Sequence, residues 1–200
     1  GEAVSSRSVI PFGPTQDGAR VNTDLDSASL FVSMSTQPGW GAVKASLLSV
    51  AADRGIANAG HIDPSDGSPG YWRYPDWRFN QLTVNSAFRI ADSTNLRSTL
   101  WLQHFEQTIE QFVDDSYAVV ECSEDDVDRT LGVRMVLERT FDAIDARIVG
   151  NAQVTTLDQI DSDRLNEVRG PVQSFQQNVY SLGAEVDSAP HVEVRLSAGM

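Results

Sequence analysis

Apolar side chains in this sequence recur three, four or five residues apart over long stretches, and that spacing constrains the fold more than any other feature. Between residues 92 and 113, Leu96, Leu100, Phe105, Ile109 and Phe112 recur at helical spacing, while Glu106, Glu110 and Asp114 face elsewhere. Asp92 or Ser93 stands where a helix cap belongs. From Ser123 to about Val149 the stripe is Val133, Leu137, Phe141, Ile144 and Ile148, opened by Ser123-x-x-Asp126, a capping box with aspartate in the acidic position. A third helix is expected over Trp40–Arg54, with Val43, Leu47, Leu48 and Ala51 on one face. Shorter helices are expected over 157–168 and from Pro171 to Gly183, the latter with Val172, Phe175, Val179 and Leu182 inward.

Strand-like runs are fewer: 27–35, 82–90, 117–122 and 191–196. Residues 1–26 show no periodicity and carry Pro, Gly and Ser, which reads as an extended arm. The sequence therefore predicts a mainly α fold with short β-strands. It is a helical bundle over 27–182, with an N-terminal arm at 1–26 and a C-terminal strand or tail at 183–200.

Composition narrows the function classes. The single cysteine, Cys122, excludes an internal disulfide framework and a cysteine-based zinc site. No apolar run approaches 18 residues, so no membrane span is expected, and the first 30 residues lack the basic and apolar pattern of a secretory signal. Gly1-x-x-x-Ser5 would fit a myristoylation pattern if Gly1 followed an initiator Met, although a processed terminus explains it as well. Net charge is −13, and Lys44 is the only lysine. Such a balance opposes nonspecific contact with nucleic acid or an anionic membrane. Arginine is the cation of buried and interfacial pairs, so a chain almost without lysine suits a surface covered by neighbours or a high-salt source.

The densest run of contact-making residues is Tyr71-Trp72-Arg73-Tyr74-Pro75-Asp76-Trp77-Arg78-Phe79, with five of the 16 aromatic residues in nine positions. Trp, Tyr and Arg concentrate at interface hot spots. Rings beside guanidinium groups also stack nucleobases or flat ligands. Tyr71, Trp72, Arg73, Tyr74, Trp77, Arg78 and Phe79 are thus the candidate interface or ligand residues, and packing within their own domain is the plain alternative.

Seven carboxylates and no cation lie between Asp114 and Asp128. Asp125, Asp126 and Asp128 are weak metal candidates. An EF-hand is nearly spelled from Asp126, but Gly132 and Glu138 fall one position too late to wrap calcium. Acid at a helix N-terminus is the simpler account. Catalytic signatures are almost absent: no GxSxG, P-loop, GxGxxG or HExxH occurs, and His61, His104 and His191 lie far apart. His104-Phe105-Glu106 lacks the P-C-x-x-C partner of a zinc deaminase. Cys122 after an apolar run reads as a small packed residue rather than a nucleophile. No enzyme activity and no cofactor is expected.

Phe31-Val32-Ser33-Met34-Ser35 followed by Trp40 and a predicted helix resembles the opening of tobamovirus-type rod-shaped virus coat proteins. Trp72-Arg73-Tyr74-Pro75-Asp76 is similar to their Arg-Phe-Pro segment, and the region bearing Arg129, Arg134 and Arg139 to their late helix near RNA. The resemblance implies a helical subunit of a virus particle, with those three arginines as candidate nucleic-acid contacts. The expectation is a self-assembling structural protein of a virus or phage particle (coat, neck or tail). Identical subunits and other virion proteins would be its partners and the virion, otherwise the cytoplasm, its location. The alternative is a binding module that holds a small ligand or single-stranded nucleic acid on residues 71–79. In neither case is a membrane involved.

Overall fold

The computed structural model describes residues 15–16, 19–20, 22–57, 70–142, 144–188 and 192–194, and among these there is no helix. In chain order the strands are β1 (Thr15–Gln16), β2 (Ala19–Arg20), β3 (Leu25–Thr36), β4 (Gly41–Ile56), β5 (Trp72–Ala91), β6 (Thr94–Phe112), β7 (Val120–Thr140), β8 (Ile144–Asp163), β9 (Val168–Arg169), β10 (Gln173–Ser188) and β11 (Val192–Val194). Among the described residues, strands β1 and β2 pair only with each other. The rest form one antiparallel meander in the order β11-β10-β8-β7-β6-β5-β4-β3, with β9 beside β8. The expected helical bundle is therefore corrected to an all-β sheet. All five expected helices, at 40–54, 92–113, 123–149, 157–168 and 171–182, fall largely on the strands β4, β6, β7, β8 and β10. Most of the arm and half of the tail, Gly1 and His191 among them, lie outside the described residues, as does His61 between β4 and β5.

The physical reason for the correction is that a spacing of four fits two periodicities. Val43, Leu47 and Ala51 share a helix face, and they equally share a strand face, because side chains alternate with period two. Val133 with Leu137, and Leu96 with Leu100, behave alike. What separates the two readings is the residue between: Leu131, Val133, Met135 and Leu137 alternate with Gly132, Arg134, Val136 and Glu138 along β7.

Directly paired residues of antiparallel strands share a face, so the register composes rows across the sheet. One row runs Met34, Ala45, Val84, Leu100, Val133, Ala152, Tyr180. Its neighbour runs Val32, Leu47, Leu82, Leu102, Leu131, Val154, Asn178. On the other side come Val43, Ser86, Ser98, Met135, Gly150, Leu182 and then Phe88, Leu96, Leu137, Ile148, Ala184. These rows form an apolar belt on one face. The two serines in it satisfy each other, Ser86 Oγ to Ser98 Oγ at 2.6 Å. The belt slants: it reaches down to Leu30 on β3 but begins only at Tyr180 on β10, a slide of about two rows, as strands tilted in a curved sheet require.

The opposite face is mainly polar at the same height. Thr83, Asn85, Thr99, Gln103, Thr130, Arg134, Asn151, Gln153 and Ser181 alternate with the belt residues. Neighbouring strands are stitched there by Thr99 to Asn85 at 2.9 Å, Thr130 to Thr155 at 2.9 Å and Asn151 to Ser181 at 2.8 Å. Trp101 lies flat over Gly132, whose missing side chain leaves the indole its place.

Among the described residues no second layer covers either face. Phe112, 7% exposed, is the only buried apolar side chain among the described residues, whereas Leu30, Met34, Leu100, Leu102, Leu131, Met135 and Leu182 are all exposed. Monomeric soluble proteins rarely leave such a patch to water. The ends of the sheet also differ. The strand ends joined through short stretches of sequence (Thr36 to Gly41, Ala91 to Thr94, Thr140 to Ile144 and Ser188 to Val192) lie at one end, and those joined through longer ones (Ile56 to Trp72, Phe112 to Val120 and Asp163 to Gln173) at the other. The belt adjoins the short-turn end; toward the long-loop end its face turns polar and charged, while the opposite face carries large aromatic residues such as Trp77, Phe79 and Phe105 among polar ones.

Candidate functional site

Strand β5 divides the aromatic and arginine run between the two faces rather than presenting it as one platform. A bulge at Pro75-Asp76, where β5 has one residue more than either neighbour, shifts the alternation. Trp72 and Tyr74 before it and Trp77 and Phe79 after it thereby share the polar face. Trp77 stacks near Phe79 (6.4 Å between centroids) and meets Phe105 edge-on (5.4 Å). Arg54 lies over the Tyr74 ring at 4.5 Å. Tyr71, one residue before β5, meets Tyr117 edge-on at 6.0 Å.

The arginines point the other way. Arg73 pairs with Asp24 (2.6 Å) and Asp53 (3.0 Å), and Arg78 pairs with Asp76 (2.9 Å) and reaches Glu106 at 4.0 Å. His104 Nε2 lies 2.8 Å from Glu106. These residues form a band of charge on the belt face, beyond the belt on the long-loop side.

Arg129, Arg134 and Arg139 do not form one stripe. Arg129, in the charged band, pairs with Asp158 at 3.0 Å; Ser174 and this guanidinium hold the Asp158 carboxyl below the usual range. Arg134 is on the polar face beside Thr99 and Asn151. Arg139 lies at the short-turn end, 4.8 Å from the Phe141 ring.

The acidic candidates alternate as well. Asp125 faces the belt side and accepts from Thr108 Oγ1 at 2.8 Å. Asp126 and Asp128 face the polar side, Asp126 accepting from Gln107 Nε2 at 2.8 Å and Asp128 from Thr130 Oγ1 at 3.2 Å. A strand holds consecutive carboxylates on opposite faces, so they cannot converge on one ion. Among the described residues no group of three His, Cys, Asp or Glu is placed to hold a metal.

At the long-loop end the polar face carries a cleft of about 730 Å³. Ile109 and Gln111 of β6, Cys122 and Glu124 of β7, and Asp161 and Asp163 of β8 line it, with Trp72 at one side and Leu165 and Val168 near the rim. Burial, then the negative charge of Glu121 and its neighbours, pushes the Cys122 thiol up, so it stays protonated near neutrality. Burial, and next the charge of Asp126, raises Glu124 above the usual carboxylate range. Asp161 and Asp163 escaped the sequence reading because residues 157–168 were expected to be helical. Their period-two echo of Glu124-x-Asp126-x-Asp128 was the signal that would have found them.

No protein-family model matches the chain, and no curated protein matches it. A comparison with solved structures finds a chain described as "Copper transporter OprC", 11% identical with a TM-score of 0.64. The match covers 82% of this chain and 26% of that one, so this chain spans about a quarter of the structure it resembles. At this identity the likeness concerns the fold.

Proposed function

We propose that the chain is a sector of a transmembrane β-barrel of the outer-membrane type. Its belt face meets lipid, its polar face lines the interior, and the assembled barrel passes solutes across the membrane. The observation that carries this reading is the apolar belt: an alternating, single-face band on a one-layer sheet that no other described residue covers. Four rows occupy about 27 Å of strand, or roughly 20 Å of height at the 35–45° tilt of barrel strands. Leu30 and Val186 extend the band at its slanting ends, toward the apolar height of about 25 Å found in such barrels.

Three further features agree. Short turns at one end and longer connections at the other are the usual asymmetry of these barrels. Trp40, stacked on Phe88 at 5.3 Å, and Phe141 stand at the short-turn border of the belt, where an aromatic girdle belongs. The similar chain is described as a transporter. The expectation of no membrane span followed from a rule for apolar runs. That rule detects helices, and no helix among the described residues is long and apolar enough to cross a membrane. A barrel strand carries only every second residue to lipid and leaves no such run.

The test is a cysteine scan of Thr130–Leu137 in a Cys122→Ser background, on full-length protein in lipid vesicles with a polarity-sensitive fluorophore. Positions 131, 133, 135 and 137 should be quenched by brominated lipid and 130, 132, 134 and 136 by aqueous iodide. Uniform quenching, or no lipid quenching anywhere, defeats the reading.

Self-assembly has one observation in its favour: among the described residues, the outer edge of β3 pairs with nothing, and β10 is capped only by the short β11. Strands must complete both edges, from further copies or from more of a longer chain. Light scattering in detergent separates the two, because assembly from copies yields a multiple of the chain mass.

A further inference from the structure

The polar-face cleft is built for positive charge and holds none. Glu121, Glu124, Asp161 and Asp163 line it, and among the described residues no Lys, Arg or His does; the nearest cation, Arg164, donates from Nε to the lining Ser123 Oγ at 2.9 Å. Local amides occupy part of this acid: Gln111 donates to Glu121 at 3.0 Å, Asn166 to Asp163 at 2.7 Å and Gln173 to Asp161 at 3.2 Å. Glu124 is left against acids. It receives a hydrogen bond from Gln159, and beyond that it faces Asp126 on its own strand and Asp161 on β8. On β6 its neighbours are Ile109 and the neutral amides of Gln107 and Gln111.

Asp126 beneath it is not itself on the cleft wall, but it adds its charge to that of Glu124. The residue is 8% exposed, and Gln107 satisfies one carboxylate oxygen. The other, Oδ1, is buried with no donor among the described residues, within reach of the Glu124 carboxyl. A buried acceptor without a donor is costly, and a charged one more so. A proton shared with the Glu124 carboxyl removes that cost, and a cation drawn up to Glu124 lowers it through its charge. The carboxylates are too dispersed to close on a single metal ion, so the complementary group is one that spreads its donors over several atoms. The rest of the wall suits a hydrocarbon stem: Trp72, 37% exposed, Ile109, Leu165 and Val168. An indole face also attracts cations.

We propose that the cleft binds an organic cation, a small ammonium or guanidinium compound, with its charge between Glu124 and Asp161 and its stem along Trp72. The volume falls within the range of small-molecule sites. The site stands on the polar face whether or not the belt meets lipid, so its failure would leave the barrel reading untouched. A proton on Glu124 competes for the same place, which makes binding weaken as pH falls.

The experiment is calorimetric titration of full-length protein in detergent micelles with 1,4-diaminobutane at pH 8 and pH 5, in low salt. Saturable binding is expected at pH 8, with quenching of tryptophan fluorescence and weaker binding at pH 5. Glu124→Gln and Asp161→Asn should each reduce affinity at least about tenfold, the size of one lost charge-assisted contact. Asp145→Asn, a polar-face acid at the other end of the sheet, should change nothing. Asp161→Asn serves as the informative variant should Glu124→Gln fold poorly. No binding, binding indifferent to both substitutions, or calcium chloride binding more tightly through the same residues would overturn the proposal.

Discussion

Placing arginine at Leu100 tests the barrel reading at its centre. Leu100 lies in the middle of the row from Met34 to Tyr180, flanked by Val84 and Val133, and is 40% exposed. Fully covering a leucine contributes about 1.5–3 kcal/mol. Lipid contact on the remaining two-fifths is therefore about 1 kcal/mol, which Leu100→Arg forfeits. The guanidinium must in addition sit in hydrocarbon or drag water to itself, bringing the total to about 2–4 kcal/mol at mid-belt and about 0–1 near its borders. Three positions on the same strand calibrate this. Leu96→Arg, near the short turns, should cost less than Leu100→Arg; His104→Arg, in the charged band, should cost almost nothing. Gln103→Arg, on the opposite face at belt height, should stay within about 1 kcal/mol. Urea titration of protein refolded into vesicles, followed by tryptophan emission and electrophoretic heat-modifiability, measures all four. Equal penalties on both faces, or a penalty at Leu100 no larger than at His104, would refute the assignment of that face to lipid.

Other consequences are more local. Gly132→Ala would drive a methyl group into Trp101, so the indole must move; a loss of about 1–3 kcal/mol and altered tryptophan emission are expected in the same titration. Because the folded protein holds Glu124 above its unfolded range, this residue contributes stability below the ordinary carboxylate range that is lost as pH rises through the raised value. Glu124→Gln should accordingly flatten the fall in denaturation midpoint between pH 5 and pH 8, and an unchanged profile would mean that the carboxyl titrates normally. Arg73→Gln removes ion pairs to Asp24 and Asp53 that are only partly shielded, so about 1 kcal/mol or less is at stake. A double-mutant cycle with Asp53→Asn isolates that share.

The strands were legible where alternation is strict and hidden where both faces carry large side chains. Leu131–Leu137 displays period two plainly once every second residue is read. In β6, Trp101 and Phe105 lie on the polar face while Leu100 and Leu102 lie on the belt, so the apolar residues merge into a stripe that fits 3.6 as well as 2. Here the apolar face stops at the belt border, and Arg78, His104 and Arg129 take over on the same side. A window of 11 to 18 residues averages across that change and loses the period.

The cleft was illegible for a different reason. Its acids come from β7 and β8, and only the register that sets Glu124 opposite Asp161 and Cys122 opposite Asp163 brings them together. In sequence, Glu124 looked like one member of an acidic run, and a run of charge usually marks a solvated turn. Pairing splits the run instead: Asp125 goes to the belt face with Thr108, while Glu124 and Asp126 share the polar face, and Asp126 becomes buried. The same operation dismantled the aromatic run and reassembled part of it, since the extra residue at Pro75 returns Trp72 and Tyr74 to the face of Trp77 and Phe79. Without that bulge Trp72 would point to the belt side. The cleft would then lose the aromatic wall on which recognition of an organic cation depends.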